Sequence, residues 1–134
     1  MRLLVFDGLR TRSVQKKFWD ALDTIFIIER KQFVVDLKKG LIYNYGAVVD
    51  FIFVLENGSE VDMGIEYDHF GELAFQVVED SFLVVGKLTD KQIENRTILR
   101  KVMKKAGFSI IDSEWWHFDA FLYNETKNKY TIVE

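Results

Sequence analysis

The chain has 134 residues, of which 49% are hydrophobic and 15% aromatic, and its formal net charge is -3. This length and apolar content predict a single folded domain over residues 1–134 and exclude a disordered chain. The mild acidity, with no basic stripe, argues against nucleic acid as a partner.

The residue types limit the chemistry that the chain can carry. It contains no cysteine, and its two histidines are His69 and His117. Disulfides, thiolate metal sites and a cysteine nucleophile are therefore excluded, so any metal has to be held by His, Asp, Glu or Tyr. No apolar run is long enough to span a membrane, and the start lacks a signal peptide. The sequence as written predicts a cytoplasmic protein without a membrane partner, and an envelope location would need a longer start.

A strand and a helix are the first predicted elements. Leu3–Phe6 is a short apolar run closed by Asp7-Gly8, which predicts a buried strand entering a turn. An amphipathic helix is predicted next, with Ser13 as its N-cap. Its apolar stripe consists of Val14, Phe18, Leu22 and Ile25.

The middle of the chain predicts a central strand and a hairpin. Ala47–Leu55 is an almost unbroken apolar run of β-forming residues. Asn57-Gly58 then favours a tight turn, from which Val61–Met63 returns. Residues 67–75 predict a short helix or an irregular segment.

The clearest helix is predicted over residues 90–106. Thr89 and Gln92 form a capping box at its start, and Gly107 follows it as a left-handed C-cap. The mixed order of the elements, without regular βαβ alternation, predicts an α+β fold. The core stripe of this helix consists of Ile93, Leu99, Val102, Met103 and Ala106, and the strands predicted after it are Phe108–Ile111, Glu114–Phe118 and Tyr130–Val133.

Two polar features lie where packing alone would not put them. Burying Asp50 in so apolar a strand requires hydrogen bonds or a metal, unless its carboxylate points outward from an edge strand. Two tryptophans between Glu114 and His117 favour a shielded pocket with a base and a ligand. In a regular strand these two side chains would face opposite ways, so their convergence needs a bend, a bulge or a helical turn. The simpler alternative is two core tryptophans, a hydrogen-bonded histidine and a surface glutamate.

Six stretches, in this order, cover most of the chain and together resemble one family. They are Phe6-Asp7-Gly8-Leu9-Arg10, Tyr43-Asn44-Tyr45-Gly46-Ala47-Val48-Val49-Asp50, Asp62-Met63-Gly64 with Tyr67-Asp68, Asn95-Arg96, Ala106-Gly107-Phe108, and Glu114-Trp115-Trp116-His117. The set resembles the vancomycin-resistance type of D-alanyl-D-alanine dipeptidases, zinc D,D-peptidases that share a fold with the Hedgehog signalling domain. The resemblance implies a small central antiparallel sheet flanked by helices.

The resemblance also implies roles for individual residues. Asp50 and His117 match two ligands of one zinc ion, and Glu114 matches the general base. Arg10 matches the arginine that stabilises charge on the scissile carbonyl oxygen. The positions implied to form the substrate site are Asp62, near the amino end of the dipeptide, with Trp115 and Trp116 as pocket walls.

The chain departs from the family pattern at the first zinc ligand. The family has Ser-x-His ahead of the aspartate, and Leu41 and Tyr43 stand at those positions here, with Tyr43 seven residues before Asp50. Thr11 replaces a proline after the arginine, and the chain begins almost at the arginine strand, before which relatives carry a further region. Tyr43 as a phenolate ligand, His69 as a substitute ligand, and weak or absent zinc binding are the three open interpretations.

By resemblance, the predicted function is zinc-dependent hydrolysis of D-alanyl-D-alanine in peptidoglycan metabolism, impaired if the substitution at Tyr43 weakens the metal site. The alternative is a non-catalytic relative that binds a peptidoglycan fragment or a protein. The sequence leaves the oligomeric state open.

Overall fold

The computed structural model of the chain describes residues 1–24 and 40–134. Within these ranges one sheet contains four strands, β1 (Arg2–Asp7), β2 (Val48–Val54), β3 (Ser109–Ile110) and β4 (His117–Asp119). The α-helices there are α1 (Arg12–Ala21), α2 (Glu79–Val84), α3 (Asp90–Lys105) and α4 (Tyr123–Lys129). Short 3₁₀ turns cover Ile42–Tyr45, Glu72–Ala74 and Gln76–Val78. No helix in the described ranges is long and apolar enough to cross a lipid bilayer.

The sheet has the order β1-β2-β4-β3, and each pair of neighbouring strands is antiparallel. β2 is therefore a central strand, as its apolar sequence predicts. An antiparallel sheet combined with helices confirms the predicted α+β class. The hydrophobic core includes Ile52, Phe53, Leu99, Met103, Trp115 and Phe118.

β1 is an edge strand, and the prediction that it is buried is wrong. Leu3 is 44% and Val5 57% exposed. Among residues 1–24 and 40–134 the strand pairs only with β2, and an apolar run does not reveal whether a strand is central or at an edge. A register shift between Val5 and Asp7 places Asp7 opposite Asp50, which brings the end of β1 to the middle of β2.

α1 differs from its prediction in both its cap and its buried face. The N-cap is Thr11, whose Oγ1 accepts a hydrogen bond from Val14 N at 3.3 Å, so the prediction of Ser13 is wrong. Val14 and Phe18 are exposed, and Gln15 is the buried residue of the helix. Gln15 Oε1 accepts a hydrogen bond from Arg10 Nη1 at 3.3 Å, a contact that periodicity cannot anticipate. Ile25, in the predicted stripe, lies outside the described residues.

The two ends of α3 are as predicted, but its buried face differs from the predicted core stripe. The capping box of Thr89 and Gln92 is present, and Gly107 follows the helix with a φ of 94°, so both predictions are confirmed. Leu99 and Met103 are buried as expected. Val102 and Ala106 are exposed instead, because the helix turns the polar side chains of Asn95 and Arg96 into the protein, where both have hydrogen-bond partners.

The predicted hairpin is present only as a turn with an isolated bridge. Gly58 N donates to Leu55 O at 3.0 Å, which confirms the Asn57-Gly58 turn, but the returning chain forms a single bridge between Val54 and Glu60. Residues 67–75 are irregular apart from one 3₁₀ turn, as expected.

The C-terminal elements are shorter than predicted. β3 and β4 lie within or overlap the predicted segments, whereas the predicted strand Tyr130–Val133 is wrong, since residues 130–134 follow α4 without regular structure. Two backbone hydrogen bonds, and not a strand ladder, connect this segment to the rest of the protein. Val133 N donates to Asn44 O, and Arg12 N donates to Val133 O.

Candidate active site

Asp50 and His117 are brought together by the pairing of β2 with β4. The two residues lie opposite each other in the register, and both are buried. His117 Nδ1 lies 3.4 Å from Asp50 Oδ1. Because β2 is central, the Asp50 carboxylate does not point outward from an edge, and hydrogen bonds offset the cost of its burial.

Glu114 reaches the same point because the chain bends before β4. Residues 112–116 form a turn and a bend, and regular strand begins only at His117. The bend leaves Glu114 Oε2 3.5 Å from His117 Nδ1, although the two would face opposite ways in a straight strand. Burial raises the pKa of Glu114, and the imidazole of His117 partly opposes that rise.

The hydroxyl group of Tyr43 lies between Asp50 and His117. Tyr43 lies on the 3₁₀ turn before β2, and its hydroxyl donates to Asp50 Oδ1 and Oδ2 at 2.8 and 2.9 Å. The same oxygen lies 2.9 Å from His117 Nδ1. A hydroxyl has one proton, so when Asp50 receives it, the contact to His117 requires a proton on Nδ1. Burial and the charge of Asp50 raise the pKa of Tyr43 well above its ordinary value, which keeps the phenol neutral.

Asp119 holds the other ring nitrogen of His117. His117 Nε2 lies 2.9 Å from Asp119 Oδ1, two residues further along β4. Burial alone lowers the pKa of His117, but hydrogen bonds to Asp119 and Asp50 outweigh it and raise that pKa to about 9. The metal-free site therefore contains an imidazolium between two carboxylates at neutral pH.

Arg10 enters the site from the turn after β1. Its Nε donates to Asp7 Oδ2 at 3.0 Å, its Nη2 makes a closer contact with the same oxygen, and its Nη1 donates to Gln15 Oε1 at 3.3 Å. The guanidinium carbon lies 4.5 Å from the ring centroid of Tyr43, which is a cation–π contact. These contacts hold a fixed positive charge beside the carboxylates.

A cleft of about 290 Å³ opens onto this cluster. Its lining brings together most of the residues that the sequence singled out. They are Arg10, Tyr43, Asp50, Glu114, Trp116 and His117, and Asp68 lines the same cleft.

Two of the predicted substrate-binding residues lie beside a different cleft. Asp62 and Trp115 line a second cleft of about 360 Å³. Asp62 accepts hydrogen bonds from Gly64 N and from Gln92, and Trp115 is fully buried. His69 lines neither of these two clefts.

Tyr67, Asp68 and Asp119 belong to the site but were not predicted from the sequence. The Tyr67 hydroxyl donates to Asp50 Oδ2 at 3.1 Å. Desolvation raises the pKa of Asp68, and the nearby Arg10 opposes that rise. The sequence could have indicated Asp119, because a residue two positions from His117 lies on the same face of the strand. Asp68 stands in one of the matched stretches, but nothing local to it indicates a cleft.

The family resemblance implies a zinc ion, so the donor atoms of this cluster can be compared with the arrangement that zinc requires. The 3.4 Å between Asp50 Oδ1 and His117 Nδ1 is close to the roughly 3.3 Å that separates two ligand atoms of tetrahedral zinc. The contact of His117 with Asp119 is the usual support of a metal-binding imidazole. Within the described ranges no group of three His, Cys, Asp or Glu residues is arranged to hold a metal. Zinc bound to Asp50 and His117 would therefore need the oxygen of Tyr43 as its third donor. That oxygen lies at hydrogen-bond distances of 2.8 and 2.9 Å from the other two donors, so it would have to move outward by a few tenths of an ångström.

The chain is similar in sequence to proteins named D-alanyl-D-alanine dipeptidase. The sequence model of peptidase family M15, described as D-ala-D-ala dipeptidase, matches residues 1–131. D-alanyl-D-alanine dipeptidase of Escherichia coli (strain K12) is 29% identical over 119 residues, which are 89% of this chain and 55% of that protein. The dipeptidase of Enterococcus faecalis is 26% identical, with 87% of this chain and 60% of that protein covered.

A third relative is the D-alanyl-D-alanine dipeptidase of Synechocystis, which is 30% identical over 93 residues, or 62% of this chain and 38% of that protein. The chain thus spans 55% and 60% of the length of the first two relatives. The match over residues 1–131 nevertheless covers nearly all of this chain, which belongs to the D-ala-D-ala dipeptidase family of M15 peptidases.

Proposed function

We propose that the chain is a zinc-dependent dipeptidase that hydrolyses D-alanyl-D-alanine in peptidoglycan metabolism. The observation that carries this proposal is the convergence of Arg10, Asp50, Glu114 and His117 on one cleft. The substrate is taken from the relatives, which are D-alanyl-D-alanine dipeptidases. Because the chain spans only part of their length, the activity and the substrate are both proposals for this protein.

Asp50, His117 and Tyr43 would hold the metal ion. Zinc bound by three protein ligands lowers the pKa of a water molecule toward about 7 and polarises the substrate carbonyl. In this proposal His117 binds through Nδ1, since Asp119 already engages Nε2. Both His117 and Tyr43 have to give up protons to bind, which couples metal binding to proton release.

Glu114 and Arg10 would carry the proton transfer and the charge stabilisation. Glu114 takes a proton from the attacking water and delivers it to the leaving amine nitrogen, and its raised pKa makes the carboxylate a stronger base for this exchange. The guanidinium of Arg10 stabilises the negative charge that develops on the carbonyl oxygen. Its contacts with Asp7 and Gln15 fix it in advance, which avoids reorganisation during the reaction.

The amino end of the dipeptide would pair with Asp68 and not with Asp62. Asp68 lines the cleft with Arg10, whereas Asp62 is engaged by Gly64 and Gln92 beside the second cleft. Trp116 forms a wall of the substrate cleft. Trp115 contacts Trp116 edge to face, with 5.2 Å between ring centroids, so in this proposal it supports that wall from behind.

The second candidate is a non-catalytic relative that binds a peptidoglycan fragment through the same cleft. The hydrogen bonds of Tyr43 to Asp50, and its contact with His117, favour it, because the phenol already satisfies groups that a metal would need. Under the first proposal the same contacts predict weaker zinc binding than a histidine would give, and thus reduced turnover.

Hydrolysis of D-alanyl-D-alanine by the purified protein, with zinc added, tests the proposal. The matched variants are Glu114→Ala, which removes the base, and Glu94→Ala, which changes an exposed glutamate on α3. Turnover that persists in Glu94→Ala and disappears in Glu114→Ala supports the dipeptidase. Absence of turnover in the parent protein, together with saturable binding of the dipeptide, would favour the non-catalytic alternative.

A further inference from the structure

We infer that Tyr67 is a positioning residue that fixes the Asp50 carboxylate for metal binding, an inference that rests on the proposed zinc site. The Tyr67 hydroxyl donates to Asp50 Oδ2 at 3.1 Å, while Asp50 Oδ1 faces His117 Nδ1 at 3.4 Å. Tyr43 donates to both oxygens, at 2.8 and 2.9 Å, whereas Tyr67 donates to Oδ2 alone. Tyr67 therefore leaves Oδ1, which lies 3.4 Å from the imidazole, for the metal.

Aromatic packing on two sides holds the Tyr67 ring. Its ring stacks on Phe6 of β1, with 4.2 Å between centroids and an interplanar angle of 15°. Trp116 meets it edge to face at 5.5 Å and 71°. With these neighbours the hydroxyl has a fixed position, so its bond to Asp50 adds little further loss of side-chain freedom.

The segment that carries Tyr67 is anchored at both of its ends by Arg96 of α3. Arg96 Nε donates to Met63 O at 2.7 Å, and Nη2 donates to Leu73 O at 3.0 Å. Arg96 is fully buried and pairs with Glu79 at 3.2 Å. The anchors hold the backbone on both sides of Tyr67, which makes the segment a rigid support for its side chain.

Loss of the Tyr67 hydroxyl should therefore act through Asp50. Metal binding would displace the Tyr43 proton from Asp50, and Tyr67 would then still donate to this carboxylate. Without the Tyr67 hydroxyl the carboxylate is less firmly held, so it binds a metal less well. Residues that orient metal ligands in this way typically change metal affinity by about 10- to 100-fold. Tyr67→Phe keeps the ring and its packing and removes only the hydroxyl group.

The test is zinc affinity, measured by competition with a chromophoric chelator. We expect Tyr67→Phe to bind zinc at least tenfold more weakly than the parent, with the unfolding temperature of the metal-free protein nearly unchanged. Tyr130→Phe, at an exposed tyrosine, should match the parent. In an Asp50→Asn background the effect of Tyr67→Phe should vanish, since the residue acts through that carboxylate. A zinc affinity of Tyr67→Phe within threefold of the parent would overturn the inference.

Hydrolysis measured on the same preparations separates this inference from the proposed function. Weakened zinc binding in Tyr67→Phe, with no turnover in the parent, overturns the dipeptidase proposal and leaves the role of Tyr67 standing. Parent turnover with unchanged zinc affinity in Tyr67→Phe overturns the role of Tyr67 alone. A parent protein that binds no zinc overturns both.

Discussion

The hydroxyl of Tyr43 donates to both oxygens of the Asp50 carboxylate, at 2.8 and 2.9 Å. By the family resemblance, Tyr43 takes the position of a zinc-binding histidine, and a phenol is longer than an imidazole. Its oxygen therefore reaches into the space between Asp50 and His117. The hydroxyl proton and a metal ion then compete for the same ligand atoms.

Replacing Tyr43 by histidine should strengthen zinc binding. A neutral imidazole needs no deprotonation to coordinate zinc, and its shorter ring withdraws from the Asp50 carboxylate. We expect Tyr43→His to bind zinc at least about tenfold more tightly than the parent. Chelator competition measures this, with Tyr130→His as the control at an exposed position. Equal zinc affinities in parent and Tyr43→His would contradict the competition between proton and metal.

Replacing Arg10 by lysine should lower turnover even though the charge is kept. A lysine cannot reproduce the contacts that the guanidinium makes at once with Asp7 and Gln15. We expect kcat to fall by roughly 10²- to 10³-fold, the scale of losing one oxyanion donor. The control is Arg2→Lys, at an exposed arginine far along β1. A kcat for Arg10→Lys close to the parent value would show that Arg10 does not stabilise the transition state.

Gly64 should not tolerate a side chain. Its φ is 85°, and a Cβ there would lie 2.4 Å from Leu88 Cδ2 and 3.1 Å from Gln92. We expect Gly64→Ala to lower the free energy of unfolding by about 2–4 kcal/mol, the sum of backbone strain and overpacking. Urea denaturation measures the loss.

Gly58→Ala is the matched control for this change. Gly58 has a similar φ of 87° but no atom within 4 Å of a Cβ, so only the backbone strain, about 1 kcal/mol, should appear. If both variants lose the same free energy of unfolding, the contact with Leu88 does not affect stability.

Removing the charge of Arg96 should destabilise the fold. Arg96→Leu leaves the carboxylate of Glu79 with only Arg100 and leaves the carbonyls of Met63 and Leu73 without their donor. We expect a loss of about 3–5 kcal/mol in the free energy of unfolding, as for other buried ion pairs that lose one partner. Lys91→Ala, at an exposed ion pair on the same helix, should change little in the same urea titration. A small loss in Arg96→Leu would mean that water replaces the missing donor.

Local chemistry in the sequence determined the elements whose causes are local. The capping box of Thr89 and Gln92, the left-handed Gly107 and the Asn57-Gly58 turn depend on residues close in the chain, and each is present. The α+β class and the central position of β2 also followed from pattern. The family followed from the order of six short motifs along the chain, which together are specific although each one alone is weak.

Only the tertiary structure decided which faces are buried and which side chains meet. The apolar strand β1 is exposed where it pairs with β2, and the polar side chain of Gln15 is buried where it meets Arg10. Asp62 and Asp68 are equivalent acids in sequence, yet one lies beside a second cleft and the other lines the candidate site.

The same reason applies to the cluster around Asp50. Tyr43 and His117 are 74 positions apart, so a 2.9 Å contact between them depends on strand pairing and on the bend before β4. The sequence supplied the donors and, by resemblance, predicted that Tyr43 replaces a histidine. Their distances, and the engagement of Asp50 by two phenols, arise from long-range packing that no local pattern encodes.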